Sequence, residues 1–185
     1  MQLSHILLGI AFVGLYGCVS TGLRDVSATT PLGVQIVDDK FNAAIGLSGP
    51  IQRIEGKQWN LVTSVGRTTH LTNTTLWFYE SYTSDQWKYW YRAADENAKE
   101  LNLRKIDRNV LLCEGGGAAC TYSESLSLDL EDKILQNAAA RGFSIKFYSK
   151  TGDEYVLSIP AAVAAAQLDA ISTLTRSKTA SASAN

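Results

Sequence analysis

The run from Thr121 to Leu130 alternates without interruption. Tyr122, Glu124, Leu126, Leu128 and Leu130 lie on one side, and Thr121, Ser123, Ser125, Ser127 and Asp129 on the other. A period of two with one apolar side marks a strand that packs on a core through one face and meets water through the other. Such strands belong to antiparallel sheets, so this stretch commits the chain to a β-rich fold. Phe143, Ile145 and Phe147 repeat the pattern. Tyr155, Leu157 and Ile159 resume it beyond the turn signal Thr151-Gly152-Asp153, which predicts a hairpin over 143–159.

Shorter runs between Val34 and Arg67 predict further strands, with Ser48-Gly49-Pro50 as a turn between Ala43–Leu47 and Ile51–Ile54. Ile134, Leu135 and Ala138 stand at helical spacing ahead of Gly142, which predicts a short helix over 131–141 closed by a glycine cap. Pro160 opens an alanine-rich helix over 161–172, with Val163, Ala164, Gln167, Leu168 and Ile171 as its packing stripe. The Ser, Thr and Ala residues of 173–185 read as a disordered tail. The expected fold is β-rich α+β: about seven to nine mostly antiparallel strands and two helices in one domain over 33–172.

Aromatic residues crowd into one region. Three of the 4 tryptophans (Trp77, Trp87, Trp90) and half of the 8 tyrosines (Tyr79, Tyr82, Tyr89, Tyr91) lie between 77 and 91. The runs Thr75–Tyr82 and Trp87–Ala93 flank Thr83-Ser84-Asp85-Gln86 and read as a hairpin. Alternation puts Leu76, Phe78 and Tyr82 on one face, with Trp77 and Tyr79 on the other. In the second run Trp87, Tyr89 and Tyr91 oppose Lys88, Trp90 and Arg92. This is either a hairpin buried on both sides, held by aromatic cross-strand pairs, or a binding face built from Trp77, Tyr79, Trp87, Tyr89, Trp90 and Tyr91.

The N-terminus pairs an uncharged apolar run, Ile6–Leu15, with a small residue and a cysteine in Leu15-Tyr16-Gly17-Cys18. The segment resembles the signal of bacterial lipoproteins, whose lipobox is an aliphatic residue, two usually small residues and a cysteine. The resemblance covers residues 1–18. It implies cleavage after Gly17, a diacylglyceryl thioether on Cys18, and acylation (palmitate among the chains) of the new amino terminus. Several chains anchor a protein stably where one does not. Residues 18–32, Ser/Thr-rich with little periodicity, then read as a lipidated tether. Val19 stands where an inner-membrane retention signal has Asp. In a Gram-negative cell this implies transport to the outer membrane, facing the periplasm.

Lipidation of Cys18 would leave Cys113 and Cys120 in a compartment where disulfides persist, and we expect them to be bridged across Glu114–Ala119. Placed opposite each other in a regular hairpin, they would turn Val110 and Leu112 onto the serine side of 121–130, because a one-residue slip flips every side chain. A bulge beside the disulfide is therefore expected. It would bring Arg108 and Glu124, each a lone charge on an apolar stripe, onto one face as an ion pair.

The net charge of −1 argues against a nucleic-acid binder, which needs a basic face. Of the 2 histidines only His70 follows the signal. Neither a nucleophile elbow, a phosphate-binding loop nor a zinc ligand set appears, so no cofactor, metal or catalytic residue is expected. The sequence predicts a non-catalytic, lipid-anchored envelope accessory that binds another envelope protein or assembly. The alternative is a glycan- or peptidoglycan-binding module using the aromatics of 77–91, with a cell-wall hydrolase third.

Overall fold

The computed structural model describes residues 33–69, 71–113 and 119–182, side chains as far as Ser177, and the backbone of Val26–Thr29. The signal and Cys18, His70, and residues 114–118 between the cysteines lie outside the described residues. The chain is β-rich α+β, with antiparallel strands in two sheets.

The larger sheet contains β1 (Val26–Thr29), β2 (Gln35–Val37), β3 (Ala44–Ser48), β4 (Gln52–Ile54), β5 (Lys57–Gly66), β6 (Thr72–Ser84), β9 (Leu103–Cys113) and β10 (Cys120–Leu130). Its order is β1-β2-β3-β5-β6-β10-β9, with β4 also on β5. The smaller sheet runs β12 (Glu154–Ile159), β11 (Phe143–Ser149), β7 (Trp90–Asp95), β8 (Glu100–Leu101). The helices are α1 (Asp132–Arg141) and α2 (Ala161–Ala182).

One face of the larger sheet is covered twice. Over β5, β6 and β10 lies the smaller sheet: Phe78 stacks on Phe147 with ring centroids 4.8 Å apart, in a core that includes Leu76, Trp90, Leu126, Leu128, Ile145 and Leu157. Over β2, β3 and β5 lies α2, whose Ala166 and Ala170 pack on Val34, Leu47 and Val65. Gln167, fully buried, donates from Nε2 to Leu47 O at 3.2 Å and Thr63 Oγ1 at 2.9 Å. It pins the helix by hydrogen bonds as well as by apolar contact.

The strand over 121–130, the hairpin over 143–159 and the glycine-capped short helix all form; Gly142 caps α1 at φ 81°. Five expectations are corrected. The described residues hold twelve strands, more than the seven to nine predicted. Val26–Thr29, assigned to the tether, pairs with β2 as an edge strand. Ser48-Gly49-Pro50 is a break, not a turn: β3 and β4 both pair with β5, and Pro50 lacks the N–H a continuous ladder needs. Helix α2 continues to Ala182 through the predicted tail, because Ile171 and Leu174 still find the second core to pack against.

The fifth correction concerns the aromatic hairpin. β6 pairs with β5 and β10, whereas β7 pairs with β11 and β8. The segment between them carries the chain from one sheet to the other, so the two aromatic runs face each other across the core.

Candidate functional site

The crossing from β6 to β7 and the β9–β10 arm meet at one end of the sandwich. Glu80 and Glu124 are register partners on β6 and β10, and both are buried, at 1% and 0% exposure. Paired positions on neighbouring antiparallel strands lie about 4.5–5.5 Å apart at Cα, so the two carboxylates need cations between the sheets. Glu80 Oε1 accepts from Lys88 Nζ at 2.8 Å and lies 3.2 Å from Lys57 Nζ; its Oε2 accepts from Trp90 Nε1 at 2.8 Å. Glu124 Oε2 accepts from Arg108 Nε at 2.8 Å. Its Oε1 accepts from the Tyr82 hydroxyl at 2.7 Å and the Tyr89 N–H at 3.0 Å.

Tyr82 links the two groups. Its hydroxyl also accepts from the Lys88 N–H at 2.8 Å, and Lys88 Nζ sits 4.5 Å from its ring centroid. Burial pushes the Tyr82 phenol well above its ordinary value, and the Glu124 carboxylate pushes it further; the Lys88 N–H pulls the other way. Tyr89 has a φ of 56°, which a bulky residue rarely adopts. Its N–H bond to Glu124 and the Arg108 guanidinium 4.7 Å from its ring hold it there. This turn sends the chain into the second sheet. Every carboxylate oxygen of the pair already accepts a hydrogen bond.

Beyond this joint the arm leaves the cover of the smaller sheet. Cys113 and Cys120 are register partners and are disulfide-bonded. The register shifts between Thr121 and Tyr122, so that Tyr122 opposes Val110 and Glu124 opposes Arg108. The bulge thus lies beside the disulfide and brings the two lone charges together. β9 is the last strand of the sheet. Val110, Leu111 and Leu112 are 52%, 54% and 67% exposed, and Ile106 is 46% exposed. Apolar side chains exposed in a row on an unpaired strand edge form a pairing template.

The aromatics do not share one face. Trp77 is 42% exposed on the outer side of the larger sheet, beside half-buried Tyr79. Trp87 packs on Tyr122, centroids 4.5 Å apart, next to Tyr89 at the joint. Trp90 is buried in the core, and Tyr91 is exposed. Sequence reasoning missed Glu80, although its parity with Leu76, Phe78 and Tyr82 places it on the inner face. Among the described residues no group of three or more His, Cys, Asp or Glu side chains is placed to hold a metal ion. The chain matches no protein-family model, and no curated protein or solved structure is significantly similar to it.

Proposed function

We propose that the chain is a lipid-anchored outer-membrane accessory that binds another envelope protein through the free edge of β9 and catalyses no reaction. The carrying observation is the run Val110–Leu112, exposed on a strand whose outer side has no neighbour in the sheet among the described residues. The natural occupant of such an edge is an extended strand of the partner, held by main-chain hydrogen bonds and alternate side chains. Its character follows from β9. Arg104 and Arg108 are spent on Asp129 and Glu124 of β10, so the exposed tip Val110–Leu112 sets the partner's character, and the partner strand is apolar there. The sheet also separates the two attachments. β1, the described strand nearest Cys18 in sequence, lies at one edge and β9 at the other. The saturated Glu80–Glu124 joint supports a structural role for the buried charges rather than proton transfer.

The test is extraction of the full-length protein from membranes in mild detergent, comparing wild type with Leu112→Lys. A stoichiometric envelope protein retained by wild type and lost from a folded Leu112→Lys variant is the expected result. Retention by both, or a cross-linked species made only of two copies of this chain, overturns the reading. Cys18→Ala is expected to release the protein from membranes; unchanged attachment contradicts the anchor.

A further inference from the structure

We infer that the outer face of β6 carries a second binding site, for a neutral pyranose glycan, independent of the β9 edge. Trp77 and Tyr79 point outward from β6. Trp77 pairs with Asn60 on β5 and Ser127 on β10, and Tyr79 pairs with Gln58 and Ser125. A shallow groove of about 120 Å³ is lined by Ile51, Gln58, Asn60, Trp77, Tyr79 and Ser125, with Trp59 and Phe78 of the same strands. That is smaller than the ~300–1,000 Å³ of enclosing ligand pockets, so a ligand lies on this face and is not swallowed by it.

The chemistry around the two rings is mostly of one kind. By register their outer neighbours are mostly amides and hydroxyls (Gln58, Asn60, Ser81, Ser125, Ser127 and Thr75), with Val62 and Asp129 diagonal to Trp77. Asp129, the charge nearest Trp77 on β10, is paired with Arg104, and Arg53 and Asp107 lie one strand further out. A face whose nearest carboxylate is already paired disfavours an ionic ligand, which would lose its hydration without a free counter-charge. A pyranose matches it instead, offering C–H surface to an aromatic ring and hydroxyls that both donate and accept. The protein leaves groups open for it. Gln58 and Ser125, both in the groove lining, make no side-chain hydrogen bond among the described residues. Asn60 Nδ2 is tied to Ser48 and Gly49 at 3.2 and 3.4 Å, which holds its amide in place on the groove wall.

The probe is uncharged chitotetraose, titrated into the full-length protein in a detergent without a sugar headgroup while tryptophan fluorescence is read. Trp90 is buried in the core and Trp87 packs on the other side of the sheet; Trp59 only floors the groove and is 3% exposed, so a ligand here reports chiefly through Trp77. We expect saturable quenching that is lost in Trp77→Ala, and binding weakened about tenfold in Tyr79→Ala. Both variants should keep the wild-type melting temperature. Leu112→Lys should bind the sugar normally, which separates this site from the edge of β9. Absence of saturable quenching, or quenching that survives in Trp77→Ala, overturns the inference.

Discussion

The two halves of β9 differ in what their side chains do. At the base Arg104 pairs with Asp129 and Arg108 with Glu124, both on β10. The strand is tied to its neighbour, and charge guards its outer edge. At the tip Val110, Leu111 and Leu112 stand mostly in solvent, held among the described residues by the ladder to β10 and the disulfide. One strand thus holds a segment fixed by buried electrostatics and a segment left for another molecule. Rigidity at the base lowers the ordering cost of binding at the tip, since a pre-organised edge loses little freedom on pairing.

The comparison is broken most severely by removing the buried acid. Glu124→Leu strands the Arg108 guanidinium, the Tyr82 hydroxyl and the Tyr89 N–H. It should destabilise the fold by about 3 kcal/mol, toward the low end for broken buried pairs because Arg108 is partly exposed. Urea unfolding measures this, and Arg108→Met combined with Glu124→Leu should recover part of the loss. A cost below about 1 kcal/mol would mean that the base is held by the ladder alone. Next is the disulfide: Cys113→Ser with Cys120→Ser should cost roughly 2–3 kcal/mol on the chain-entropy estimate and weaken partner retention by fraying the tip.

Alkaline titration probes the same joint. The Tyr82 phenol is raised in the folded state above its ordinary value of 10.0, so folding favours the protonated form. The stability it contributes is complete below pH 10 and is lost as pH rises above that value toward the folded one. Tyr82→Phe should flatten that loss in thermal melts, at a cost of about 1–3 kcal/mol at neutral pH for the two missing hydrogen bonds, to Glu124 and from the Lys88 N–H. The smallest effect on folding belongs to the tip. Leu112→Lys, in a residue 67% exposed, should change stability by no more than about 0.5 kcal/mol while abolishing partner retention.

The base of the arm was legible because its residues break a simple rule. Glu124 and Arg108 are charges on apolar stripes, and the cysteine spacing forces a register conflict that only a bulge resolves. Glu80 obeys the same parity and was equally readable. The crossing between β6 and β7 was not. Thr83–Gln86 suits a hairpin loop and a sheet-to-sheet crossing equally well, and what decides between them is distant: Trp90 reaching Glu80, and Phe147 packing between the runs. The later turns of α2 were hidden for a related reason. Their Ser, Thr and Ala content reads as tail, and only the pocket formed by Val34, Leu47 and Val65 makes Leu174 a core residue. The exposure of Val110 and Leu112 was also out of reach, because an apolar strand residue signals burial unless the covering sheet is known to stop short.

Amide hydrogen exchange along β9 tests the central claim most directly, comparing the membrane-extracted assembly with the isolated full-length protein. If a partner strand pairs with this edge, amides of residues 109–113 should exchange at least about tenfold more slowly in the assembly. Those of β12, the exposed edge of the smaller sheet, should not change. Equal rates in β9, or protection that falls on β12 instead, would contradict the account.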